Sequence, residues 1–169
     1  DEYIEIKNKK GFASLTIDDG YKNIIDEALE IFEELKIPIT IFINSSTFSG
    51  KIFWRDKVRY LIENNKVSQF INKSSLFEQK HENFFYSISK SPKYNSRQVE
   101  NEIDDFLQSE KIELTDSHKF CFDDKRYFIY HPLISYGNHT ANHYLLSSLN
   151  KSEQFEEINQ CKSFLDKFK

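Results

Sequence analysis

A chain of 169 residues is enough for one domain, or one domain with an insertion, and 38% hydrophobic with 30% charged residues is the balance of a globular protein. A net charge of −4 without a long lysine/arginine block argues against nucleic acid as a partner, and no apolar run approaches the ~18 residues of a membrane span. Two cysteines without a C-x-x-C exclude a zinc knuckle and permit one disulfide without demanding it, and the lack of methionine implies a processed or partial chain.

Residues 12–17, FASLTI, form a short, mostly apolar run that ends in Asp18-Asp19-Gly20, a turn signal, and read as a buried strand. Residues 22–36 read as a helix: Ile24, Ile25, Ala28, Leu29, Phe32 and Leu35 share one face, and the acidic residues lie mainly on the other. Pro38 stops it. ITIFI at 39–43 is apolar nearly throughout, as a parallel strand covered on both faces is. Strand, helix and strand make a βαβ unit with a right-handed crossover.

Residues 50–130 read as a mostly helical insertion. Trp54, Val58, Leu61 and Ile62 recur at helical spacing, as do Val99, Ile103, Phe106 and Leu107, and the polar stretch 66–98 between them reads as short helices or loop. The spacing assigns Trp54, with Phe53, Arg55 and Tyr60 beside it, to the core of this insertion in preference to a sugar cleft. In CFDDK, 121–125, Asp123 is the candidate cap of a short helix or turn. LISYG at 133–137 follows Pro132 and reads as a third strand. Residues 150–168 read as a final amphipathic helix, with Asn150 and Glu153 as a capping pair and Phe155, Ile158, Leu165 and Phe168 supplying much of its apolar face.

The chemistry-bearing residues follow the first and third strands. In GNHTANH, 137–143, His139 and His143 stand four apart behind a glycine turn. If both strands belong to one parallel sheet, Asp18-Asp19 and the histidine pair open on the same edge, where α/β sheets and barrels place their sites. Two imidazoles and a carboxylate suit a divalent metal with one position left for water. Adjacent aspartates at a strand end point in opposite directions, so one ligates while the other stays free to act as general base. Asn44, Ser45 and Ser46 follow the second strand and are placed at the rim of this site, with Tyr144 packed near it.

Residues 14–21, SLTIDDGY, resemble the first motif of the polysaccharide deacetylases, the family 4 carbohydrate esterases, with Ile17 where phenylalanine is usual. HTANH, 139–143, is similar to their second motif, His-Ser/Thr-x-x-His. The resemblance covers residues 12–44 and about 131–168, and the middle is only loosely similar to the helical insertion of some bacterial members. It implies a partial distorted (β/α) barrel, with Asp18 as general base and Asp19, His139 and His143 as ligands of a divalent metal, zinc in most cases and cobalt or nickel in others. It implies that Thr140 braces the loop by hydrogen bonding. The implied reaction is hydrolysis of acetyl groups, mainly N-acetyl, on the amino sugars of a polymer, with metal-activated water attacking the acetyl carbonyl.

The later family motifs, which supply an arginine, an aspartate and a histidine general acid, find no match. His81, His118 and His131 lie outside the matching context and read as surface or packing histidines. The resemblance therefore implies the amino-terminal portion of the catalytic domain, with weak or absent turnover by these residues alone. It also implies an open sheet edge for the remaining chain or another subunit to cover, and it favours the cell envelope or the extracellular space. The alternative is a non-catalytic carbohydrate- or metal-binding remnant of the same fold.

Overall fold

A computed structural model describes residues 13–168. The three apolar runs become three strands, β1 (Leu15–Ile17), β2 (Ile39–Ile43) and β3 (Ile134–Asn138), in the order β1-β2-β3. Both pairings are parallel, with Leu15 opposite Ile39 and Ile43 opposite Asn138. β2 is central. Ile39, Ile41 and Ile43 are buried on one face of it and pack with Phe122 and Tyr127, while Thr40 and Phe42 are half-buried on the other.

β1 corrects an expectation. It is shorter than 12–17, and Ser14, Leu15 and Thr16 are exposed, because among the described residues β1 pairs only with β2 and stands at the sheet margin. Phe12 lies outside the described residues. The β1–β2 crossover opens as a π turn over Ile24–Ala28, with no capping side chain, and continues as α1 (Leu29–Leu35).

The central segment is helical, as its periodicity predicts. It contains α2 (Trp54–Glu63), α3 (Val67–Lys73), the single turn α4 (Phe85–Ile88) and α5 (Ser96–Ser109). Val58, Leu61, Phe70, Val99 and Ile103 lie at the centre of its core, each at most 1% exposed. Burying such a side chain contributes roughly 1.5–3 kcal/mol relative to leaving it in water. Lys57 crosses this core to Glu100 and Asp104 at 2.7 and 2.6 Å, so the ammonium enters paired. Further on, the cap of the short turn Lys125–Tyr127 is Asp124, which accepts from the Arg126 amide at 2.8 Å. Asp123, the expected cap, instead pairs with Lys22 at 2.9 Å.

The last helix, α6 (Lys151–Leu165), begins with the expected capping box of Asn150 and Glu153. Its buried side differs from the expected one. Phe155 and Ile158 are 68% and 46% exposed, whereas Glu157 and Cys161 are buried. Glu157 is drawn inward by the backbone of the preceding loop, which needs acceptors. The side chain of Phe168 lies outside the described residues. Both cysteines are free and buried. Among the described residues no helix is long and apolar enough to cross a membrane.

Candidate metal centre

Parallel pairing delivers three chain segments to one edge of the sheet. Asp18 and Asp19 leave β1, Asn44 leaves β2, and His139 leaves β3. Asp19 Oδ1 lies 3.3 Å from His139 Nε2 and 3.1 Å from His143 Nε2, and one ligand atom from each residue lies within 4.8 Å of the others. The two imidazole rings are 4.8 Å apart. Two segments about 120 residues apart in the chain therefore meet, as the strand topology predicts.

The contacts are close without being good hydrogen bonds. Asp19 Oδ1, the atom that faces both imidazole Nε2 atoms, is buried and has no hydrogen-bond partner among the described residues. An unsatisfied buried polar atom costs about 1–3 kcal/mol. Three donor atoms that converge on one point without N–H···O geometry are better satisfied by a shared cation than by each other. One carboxylate and two imidazoles suit zinc or a neighbouring first-row divalent ion.

Electrostatics agree with the geometry. Burial pushes the Asp19 carboxyl up, but the His139 and His143 side chains outweigh it and hold the carboxyl far below the usual range. Asp19 in turn raises the pKa of His139, against the effect of burial, and Asp18 adds a smaller push in the same direction. Asp18 itself is exposed.

The backbone is strained at all three turning points. Asp19, Thr140 and His143 have φ of 69°, 70° and 59°, the left-handed region that glycine favours. Such conformations cost on the order of 1–3 kcal/mol each, and a β-branched residue such as Thr140 is a pronounced outlier. Gly137 is not a turn residue. It is the fourth residue of β3, and a Cβ there would meet the Phe42 ring at 2.4 Å. Its role is to admit that ring, whose centroid lies 6.4 Å from that of His139.

Many hydrogen bonds hold the 139–143 loop in place. The His139 amide donates to Ile43 O at 3.0 Å, and Asn44 Nδ2 donates to His139 O at 2.6 Å. Thr140 Oγ1 accepts from the His143 amide at 3.0 Å. From α6, the Glu157 carboxylate accepts from the Asn142 amide at 2.8 Å and from Asn142 Nδ2 at 2.6 Å, and its carbonyl accepts from the Ala141 amide. From α2, Trp54 Nε1 donates to His143 O at 3.1 Å, and the Phe53 ring meets the His143 ring edge-on at 5.2 Å.

The placement of the other expected residues is mixed. Asn44 and Ser45 are buried beneath the histidine loop and do not form an open rim: Asn44 Nδ2 and the Ser45 amide donate to the loop's backbone, while Asn44 Oδ1 and Ser45 Oγ have no hydrogen-bond partner among the described residues. Tyr144 is also buried, and its hydroxyl donates to Glu100 inside the helical core, away from the site. His131 pairs with Glu33 at 3.0 Å, at the opposite end of the sheet. Trp54, Glu157 and Phe42 support the site but escaped the sequence reading. The available signal for Glu157 was its spacing, four residues before Cys161, within the last helix.

The family model for Polysaccharide deacetylase matches residues 5–111, more than half of the chain. The match takes in Asp18 and Asp19 and runs into the central segment, ending before His139 and His143. No curated protein and no solved structure gives a significant match. With a family match of that extent, over the strand, turn and crossover that carry Asp18 and Asp19, the chain belongs to the polysaccharide deacetylase family.

Proposed function

We propose that this chain is a metal-dependent hydrolase that removes acetyl groups, mainly N-acetyl, from the amino sugars of a polysaccharide. The observation that carries this reading is the convergence of Asp19, His139 and His143 at one sheet edge, beside an exposed Asp18. Family membership supports the reaction class and the polysaccharide substrate. Asp19, His139 and His143 hold a divalent cation, zinc before cobalt or nickel. When bound, that cation supplies Lewis acidity, lowers the pKa of water toward ~7 and steadies the oxyanion of acyl transfer.

The chain's own residues do the rest. Asp18 leaves the same strand as Asp19 but stays solvent-facing, so it is available to take a proton as general base. Thr140 fixes the His143 backbone, and Trp54 holds the carbonyl of the same residue. The sheet is read as part of a distorted (β/α) barrel, with residues 50–130 inserted between its second and third strands. The outer edges of β1 and β3 have no strand partner among the described residues. Further chain or a second copy is proposed to cover them, since bare edges invite pairing.

The test is metal content together with acetate release from an acetylated amino-sugar oligomer. The expected result is stoichiometric divalent metal and weak metal-dependent release by these residues alone, both lost in Asp19→Ala, with release alone lost in Asp18→Asn. Metal uptake without any release would favour the non-catalytic remnant. No metal uptake by the unaltered chain would sink the metal-dependent reading and leave only a carbohydrate-binding remnant.

A further inference from the structure

A cleft of about 650 Å³ lies beside the metal centre, between the turn after β1, the exposed side of α2 and the segment around Phe120. That volume is typical of sites that bury a small organic ligand. Its lining includes Tyr21, Asp56, Arg59, Tyr60, His118 and Phe120. Tyr21 is two residues beyond Asp19, and its ring meets Phe53 edge-on at 6.4 Å. Phe53 in turn meets His143 at 5.2 Å. The cleft and the metal centre are therefore neighbours that share an aromatic wall.

Seven of the residues lining the cleft bear acidic or basic side chains besides His118, and one of them, the buried Asp56, is incompletely satisfied. The Asp56 side chain is only 1% exposed, and its Oδ1 lies 3.3 Å from Arg59 Nη1. Its Oδ2 has no hydrogen-bond partner among the described residues. Around this pair stand ring faces. Phe120 is half exposed, and Tyr60, half-buried, is held edge-on by His118 at 5.5 Å. A pyranose ring presents the matching chemistry, with apolar C–H faces for the rings and hydroxyls at its edge for a carboxylate and a guanidinium.

We propose that this cleft binds a pyranose residue of the polymer, next to the one whose acetyl group stands at the metal centre. Phe120 and Tyr60 supply the apolar faces, and Asp56 and Arg59 bond the hydroxyls. The inference rests on the polysaccharide reading above and adds where a neighbouring sugar sits.

The test uses metal-free protein, so that binding is read apart from catalysis. A β-1,4-linked tetramer of N-acetylglucosamine is titrated while backbone amide resonances are followed. Perturbations should centre on Tyr21, Tyr60 and Phe120, and Phe120→Ala should weaken binding about tenfold, the scale of one lost aromatic contact. Phe120 is exposed enough that its loss leaves the fold intact, and Asp56→Asn, nearly isosteric, should weaken binding several-fold with an unchanged circular dichroism spectrum. Binding that ignores both substitutions and perturbs other surfaces would overturn the cleft assignment, as would no binding at millimolar tetramer. Loss of acetate release with tetramer binding intact would count against the catalytic reading and leave the cleft standing.

Discussion

The sheet and the helical segment divide their work unevenly. The sheet carries every residue proposed to touch the metal or its water, yet its first strand lies open to solvent. The helical segment holds the larger apolar core and contributes no ligand. It nevertheless reaches the site, through the Trp54 hydrogen bond to His143 O and the Phe53 ring against the His143 imidazole. The difference teaches that the proposed ligands are placed by strand topology, while the precision of their placement is borrowed from packing elsewhere.

The comparison breaks outright if the sheet edge is not the metal site. His143→Ala should abolish metal uptake and reduce acetate release by at least ~10²-fold, with the fold retained, as read by metal analysis and kinetics. The contrast between the two cores is tested by urea unfolding. Ile103→Ala, in the helical core, should cost about 2–5 kcal/mol, and Leu15→Ala, on the exposed strand, less than ~1 kcal/mol. Equal losses would mean that the sheet is as stabilising as the helices.

The borrowed precision is tested by Trp54→Phe, which keeps a ring and removes the donor to His143 O. Metal affinity should fall by roughly 10–100-fold in a competition titration, the usual effect of losing support behind a ligand. An unchanged affinity would confine the helical segment to stability alone.

A smaller effect is a pH signature. Burial, reinforced by the charge of Asp19 and opposed chiefly by Arg59, raises the Asp56 carboxyl to about 7. An acid whose folded pKa lies above its unfolded value near ~3.9 favours folding most below that value. Its contribution is lost as pH rises from about 4 to about 7 and stays lost above. Metal-free protein should therefore lose stability across that window, and Asp56→Asn should flatten this part of the profile in thermal melts at stepped pH. The smallest expected effect is that of Thr140→Ser, which keeps the Oγ acceptor and removes a methyl from a left-handed residue. Stability and metal affinity should stay within ~0.5 kcal/mol of the parent, whereas Thr140→Val should lose affinity.

Much of this was legible in the residues themselves. Apolar runs before Asp18 and before Gly137 marked the strands, and their parallel pairing was enough to bring Asp19 to His139 and His143. The capping pair Asn150 and Glu153 was equally local and equally readable. What escaped depends on three-dimensional neighbours. The inward turn of Glu157 is set by loop amides that no helical wheel contains, so Phe155 and Ile158 were assigned to the wrong side. Tyr144 stands beside His143 in sequence, yet its hydroxyl answers a carboxylate forty-four residues upstream. Asp123 and Asp124 compete for one cap, and Lys22, from a distant segment, decides between them.

Gly137 and Phe42 have a consequence beyond their own packing. The ring occupies the space a side chain at 137 would need, and it also lies near His139. A mutation at either position is therefore not independent of the other. Enlarging residue 137 forces the ring beside the imidazole to move, and a simultaneous reduction at 42 makes room. The two positions should be inherited as a pair, so that homologous chains carrying a side chain at 137 carry a small residue at 42.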